Sequence, residues 1–120
     1  MTGPLMAYAA DQLRARFIVH ELWKEQDRPA ALAAVKDRVR GVAGGGAHVR
    51  IDDALFDALP KLEVVSNFGV GYDNVDAKAA GKRGIIVTNT PDVLTDEVAD
   101  LAIGLLLSTV RQLPQVDRYL

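Results

Sequence analysis

"VVSNFGVGYDNVDAKAAGKRGIIVTNTPDVLTDEVADLAIGLLL", residues 64–107, decides the fold. It continues a short run, 62–68 (LEVVSNF), that reads as a buried strand. Gly69-Val70-Gly71 interrupts that strand. Asp76 then predicts the cap of a helix that stops at Gly84, a left-handed C-terminal position. The run 85–89 (IIVTN) predicts the next strand, and after the Thr90-Pro91-Asp92 break a long helix should cover 95–112. Strand, helix, strand, helix at this spacing predicts an α/β fold: a parallel sheet with helices on both faces.

Working back toward the N-terminus, the alternation continues. Pro4 suits the opening of a helix over 4–14, where a missing N–H costs little. The run 16–22 (RFIVHEL) predicts a strand, and Asp27-Arg28-Pro29 the cap and first turn of a helix carrying Leu32, Val35 and Val39. A very short strand ends in Gly44-Gly45-Gly46, a loop signal. Asp52 is a good N-cap for a short helix with Leu55, Phe56 and Leu59, closed by Pro60.

Composition narrows the function classes. The chain has 120 residues, 49% hydrophobic and 25% charged, enough for one domain with a core. A net charge of -2 without a basic stripe argues against nucleic acid. Without cysteine there are no disulfides or thiolate metal sites, and His20 and His48 are too few for a multi-histidine centre. The longest apolar run, 98–110, is broken by Asp100 and falls short of the ~18 residues of a membrane span. No basic stretch followed by an apolar one opens the chain, so the expectation is a soluble, cytoplasmic protein with no membrane partner.

The last helix is apolar almost all round, with Val98, Leu101, Ile103, Leu105, Leu106 and Leu107 leaving little polar face. Its acids, Asp96, Glu97 and Asp100, sit at the N-terminal end and Arg111 at the other, as the helix dipole favours. A helix apolar on every side must be covered on every side. That implies a further domain, a partner subunit, or both.

Three readings of Gly69-Val70-Gly71 stand side by side. A dinucleotide loop needs G-x-G-x-x-G, but Asn74 replaces the third glycine and no suitably placed acid follows. A plain turn needs nothing more. A loop at the carboxyl end of a parallel strand can also offer successive backbone N–H groups, here those of Val70 and Gly71, to a carboxylate. Gly44 to Gly46 would line the same edge. His48 is a tempting acid/base group without an evident acid partner, and His20 reads as structural. Asp73, Asp76, Asp92, Asp96, Glu97 and Asp100 read as turn and helix-start residues rather than a catalytic pair or metal set.

At GVGYDNVD followed by GIIVTNTPDVLTDEVADLAIGLLL the chain strongly resembles the D-isomer-specific 2-hydroxyacid dehydrogenases, nearest to hydroxypyruvate and glyoxylate reductases. The match runs from GPLMAYAADQLRARFIVHELW to RQLPQVDRYL. The resemblance implies a flavodoxin-like substrate domain (residues 1–94) lacking its first strand. A long apolar interdomain helix then opens a connecting region (95–120) that leads into a Rossmann domain. It implies hydride transfer from NADH or NADPH to a small 2-oxo acid, giving the D-2-hydroxy acid. Gly69, Val70 and Gly71 would hold the substrate carboxylate, Gly44 and Gly45 would shape the side-chain pocket, and Thr95 would approach the nicotinamide. The helix region 95–112 would make a homodimer contact. The family's GxGxxG loop, substrate arginine and Glu-His pair are absent from these 120 residues, so no catalytic residue is expected here and the chain alone should be inactive. The rival expectation is a non-catalytic carboxylate-binding module or a truncated fragment without activity.

Overall fold

The structure, a computed structural model, describes residues 1–45 and 49–119. Helix α1 (Ala7–Arg16) is followed by a 3-10 turn (Leu22–Lys24) and α2 (Arg28–Val35). Then come β1 (Gly41–Gly45), α3 (Asp53–Ala58), β2 (Val64–Phe68), α4 (Ala77–Lys82) and β3 (Ile86–Thr88). Helices α5 (Thr95–Val110) and α6 (Leu113–Asp117) complete the chain.

Local chemistry sets the helix starts. Asp27 accepts from the Ala30 amide at 3.0 Å, Asp52 from Ala54 at 3.2 Å and Asp76 from Ala79 at 2.8 Å. Each carboxylate satisfies an N–H that the first turn leaves unpaired. Gly84 follows α4 at φ 73°, the left-handed position expected of it.

The strands form one parallel sheet in the order β1-β2-β3, with Gly41 beside Val64 and Val64 beside Ile86. Along β2, Val65 and Asn67 are buried whereas Ser66 and Phe68 are exposed, so the two faces differ. The buried face packs under α3 and α4 through Val42, Ile51, Phe56, Leu59, Leu62, Val65, Val75, Ala79, Ala80 and Ile85. Val65 and Ile51 are the largest fully buried side chains. Burying each contributes roughly 1.5–3 kcal/mol. Helix α1 lies over the other face, where Tyr8, Ala9 and Leu13 line a cavity of 310 Å³ together with Ala43, Ser66 and Phe68. Helices thus stand on both sides of the sheet, as the sequence predicts, although Ser66, Phe68 and Ile86 on the α1 side remain exposed.

One predicted strand is absent. Residues 16–22 form no ladder: α1 runs on to Arg16, the chain is extended at Phe17, and a 3-10 turn starts at Leu22. The physical reason is the lack of a neighbour to pair with. Among the described residues, Met1 and Thr2 link this segment to β1: the Met1 amine donates to the His20 carbonyl at 2.6 Å, Leu22 N–H to the Met1 carbonyl at 3.0 Å, and Thr2 N–H to the Ala43 carbonyl at 3.1 Å. Beside them a cavity of 720 Å³, lined by Phe17, Val19, Val39, Gly41 and Val64 among others, separates the segment from the edge of β1.

Helix α5 carries no buried residue and projects from a molecule measuring 65 × 29 × 25 Å. Its apolar side chains are open, with Leu101 62% and Leu105 59% exposed. It ends before the predicted limit because Gln112 takes a left-handed conformation (φ 52°), from which α6 starts with Pro114 in its first turn. Among the described residues, no helix is long and apolar enough to cross a membrane.

Candidate functional site

The sheet brings the two glycine stretches to one edge. β1 and β2 run in register, placing Gly44 beside Asn67 and Gly45 beside Phe68, and Gly69-Val70-Gly71 leaves the sheet immediately after. The loops beyond are stitched together. Ile51 pairs with Val75 in a parallel bridge, Ile51 N–H donates to the Asn74 carbonyl at 2.8 Å, and Asp76 N–H to the Ile51 carbonyl at 2.9 Å. The glycine loop is thus held at both ends by regular backbone pairing.

Within the loop, all three carbonyls are engaged. Gly69 accepts from the Thr90 amide at 3.0 Å, Val70 from the Asn89 side-chain amide at 2.8 Å, and Gly71 from the Asn67 side-chain amide at 2.9 Å. Asn67 is 2% exposed, and its own oxygen accepts from the Asn74 side chain at 3.3 Å. No described residue accepts from the Val70 or Gly71 N–H, and both residues are exposed. A β-carbon on Gly69 would sit 3.4 Å from the Gly71 carbonyl oxygen and 3.5 Å from the Asn67 amide nitrogen. These are ordinary van der Waals distances, so space alone does not require glycine at 69.

Asn67, Asn74, Asn89 and Thr90 escaped the sequence reading. Asn67 had a legible signal, a polar residue at an inward position of an apolar strand, since buried amides keep partners. Asn89 had none, because its partner lies 19 residues back.

The dinucleotide alternative finds no support in the geometry. A fingerprint loop opens straight onto a helix whose N-terminus receives the pyrophosphate. Here a turn closed by Val75 N–H to the Tyr72 carbonyl (2.8 Å) intervenes, and the Asp76 carboxylate occupies the start of α4.

Of the remaining predicted residues, Gly44 and Gly45 share the sheet edge with the loop, and the other described ones lie apart. Gly44 is buried against Thr2, and Gly45 ends β1. Thr95 is exposed at the first position of α5, without contact to the glycine loop among the described hydrogen bonds. His48 and Gly46 lie outside the described residues. His20 is exposed, and its backbone carbonyl takes the Met1 amine. Among the described residues, no cluster of histidine or acid side chains could hold a metal ion. The resolved charge perturbations lie elsewhere: Lys24 and Arg14 hold the Glu21 carboxyl below its usual range, and Arg40 does the same for Glu63.

With this geometry in hand, comparison with known proteins is informative. The family profile described as D-isomer specific 2-hydroxyacid dehydrogenase, catalytic domain, matches residues 1–116. Hydroxyphenylpyruvate reductase of Plectranthus scutellarioides is 44% identical over 119 residues, covering 99% of this chain and 38% of that protein. Glyoxylate reductase of Thermococcus kodakarensis is 44% identical over 110 residues, covering 91% and 33%. The structure of 2-hydroxyacid dehydrogenase from Ketogulonicigenium vulgare Y25 superposes with a TM-score of 0.85 at 44% identity, over 98% of this chain and 37% of that one. An NADPH-dependent glyoxylate/hydroxypyruvate reductase of Sinorhizobium meliloti, in complex with NADP and malonate, gives a TM-score of 0.72 at 45% identity, over 98% and 35%. The chain thus spans well under half the length of these relatives. On the match across residues 1–116 and the shared fold, it belongs to the D-isomer-specific 2-hydroxyacid dehydrogenase family, within the catalytic domain.

Proposed function

We propose that this chain is the substrate-binding part of an NAD(P)H-dependent reductase of small 2-oxo acids, glyoxylate or hydroxypyruvate among them. The backbone N–H groups of Val70 and Gly71 hold the substrate carboxylate. The observation that carries this reading is the loop itself: its carbonyls are tied to Thr90, Asn89 and Asn67, whereas no described residue accepts from the N–H groups of the exposed Val70 and Gly71, which are left to meet an anion. Relatives with glyoxylate and hydroxyphenylpyruvate reductase activity in their names, and one solved with NADP and malonate, support the substrate and cofactor class.

The described residues do not form a dinucleotide cradle, so the cofactor is assigned mainly to a domain outside these 120 residues. When bound, it supplies the hydride. The work of this chain is to bind and orient. A carboxylate fixed on two backbone donors presents the adjacent 2-oxo carbon in one orientation. Gly44 and Gly45, on the neighbouring strand, stand on the side of the substrate's remaining group, and Thr95 opens the helix toward the nicotinamide. Residues 1–94 form the substrate domain and residues 95–120 the connection to the cofactor domain. The bare apolar surface of α5 is assigned to that domain junction and to a homodimer contact.

The test is a ¹⁵N-resolved NMR titration of the 120-residue chain with glyoxylate and, separately, with its uncharged methyl ester. Glyoxylate is expected to shift the Val70 and Gly71 amides and the ester to leave them in place. Equal response to both, or to neither, overturns the assignment. The chain alone is expected to show no NAD(P)H oxidation with hydroxypyruvate, and measurable turnover would contradict the division of labour.

A further inference from the structure

We propose that Asn89 is a positioning residue for the Gly71 amide, with Asn67 bracing the next peptide of the same loop from beneath. The proposal rests on the carboxylate-binding reading and goes beyond it, by naming what turns that amide outward.

A peptide unit presents its N–H on the side opposite its carbonyl, so fixing a carbonyl fixes the neighbouring amide. The peptide between Val70 and Gly71 has its carbonyl on Val70, and Asn89 donates to it at 2.8 Å. The Gly71 N–H of that same peptide must then face away from Asn89. The peptide between Gly69 and Val70 has its carbonyl on Gly69, held by the Thr90 amide at 3.0 Å, which turns the Val70 N–H away from the chain after β3. Asn67, buried under the loop, holds the Gly71 carbonyl at 2.9 Å; the N–H of that peptide belongs to Tyr72, so Asn67 anchors the end of the turn and does not aim either donor directly. Its oxygen is occupied by the Asn74 side chain at 3.3 Å, which fixes the amide with nitrogen toward Gly71.

The two asparagines do different jobs. Asn67 belongs to β2 and is 2% exposed, so its brace is part of the domain interior. Asn89 follows β3 and reaches the loop from the neighbouring strand, with Thr90 beside it, just before the turn that leads into α5. That second brace ties the anion-facing loop to the segment entering α5. A loop with no brace would sample glycine's wide range of backbone angles, and the two donors would converge only part of the time.

The test uses the 120-residue chain with malonate as probe, followed by NMR. Asn89→Leu keeps a similar size, adds no charge and removes the donor. It is expected to weaken malonate binding about tenfold and to speed hydrogen exchange around Val70 and Gly71. Protection of the β2 ladder amides, the readout of overall fold, should stay at the wild-type level. Asn67→Leu is expected to lose binding as well, together with some stability, since it empties a buried hydrogen-bond site. Because that variant can lose its fold, Asn89→Leu decides. Wild-type affinity with unchanged Val70 and Gly71 shifts in Asn89→Leu overturns the positioning role while leaving carboxylate binding intact. No malonate shift at Val70 and Gly71 in the wild-type chain overturns both.

Discussion

The Thr2 hydroxyl fills the space that a side chain on Gly44 would need, since a β-carbon there would stand 2.3 Å from the Thr2 oxygen. Thr2 is 6% exposed and its backbone is pinned by the bond to Ala43, so it has little freedom to retreat. Gly44→Ala is therefore expected to destabilise the domain by about 1–3 kcal/mol. Adding Thr2→Ala should recover much of that loss, because the methyl at 44 then meets no oxygen. Urea midpoints of the single and double variants measure the coupling, and simple additivity would refute the steric account.

Asp76 caps α4 through its 2.8 Å bond with the Ala79 amide. Asp76→Ala should cost about 1 kcal/mol, whereas Asp76→Asn, an equally good cap, should cost little. Thermal denaturation of the two variants separates capping from charge: equal losses would mean that the carboxylate's charge matters more than its hydrogen bond.

The exposed Leu101 and Leu105 stand one turn apart on α5. If the bare helix is a self-association surface, placing glutamate at both positions should weaken a dimer more than about tenfold, because interface cores exclude unpaired charge. Sedimentation of wild type and the double variant reads this directly. A wild-type chain that stays monomeric across the concentration range rules out self-association through α5.

Glu21 lies between Lys24 and Arg14, and hydrogen bonds from both lower its pKa. A carboxyl whose folded pKa is depressed adds stability that is fully present above its unfolded value. That contribution is lost as pH falls through the folded value. Glu21→Gln should thus lower stability slightly at neutral pH and match wild type in strong acid. Solvent and added salt keep the difference small. Parallel pH–stability curves, with a gap that never closes, would show that the loss comes from packing rather than ionisation.

What the sequence disclosed depended on how far each cause reaches along the chain. The caps at Asp27, Asp52 and Asp76 act within two or three residues, so they were legible, as was the left-handed Gly84. β2 and β3 were legible because each lies beside another strand of the sheet. The strand expected over 16–22 has the right composition, yet a strand forms only against a neighbour, and among the described residues its backbone bonds toward the sheet run through Met1. At the candidate site the glycines were visible and their braces were not. Asn89 and Val70 are brought together by the crossover between β2 and β3, and no local pattern encodes that meeting.

The donors proposed at Val70 and Gly71 belong to the main chain, and that hides them from the usual mutational survey. Replacing Val70 by alanine leaves its N–H where it was, so a scan of side chains would pass over the most interesting atoms in the domain. Only a change in the backbone itself, proline at 70 or 71 or an ester in place of the amide, deletes a donor. On the proposed carboxylate-binding reading, such a surface also tolerates drift in its side chains: the residues around it would retune ligand preference while the main-chain donors stayed the same.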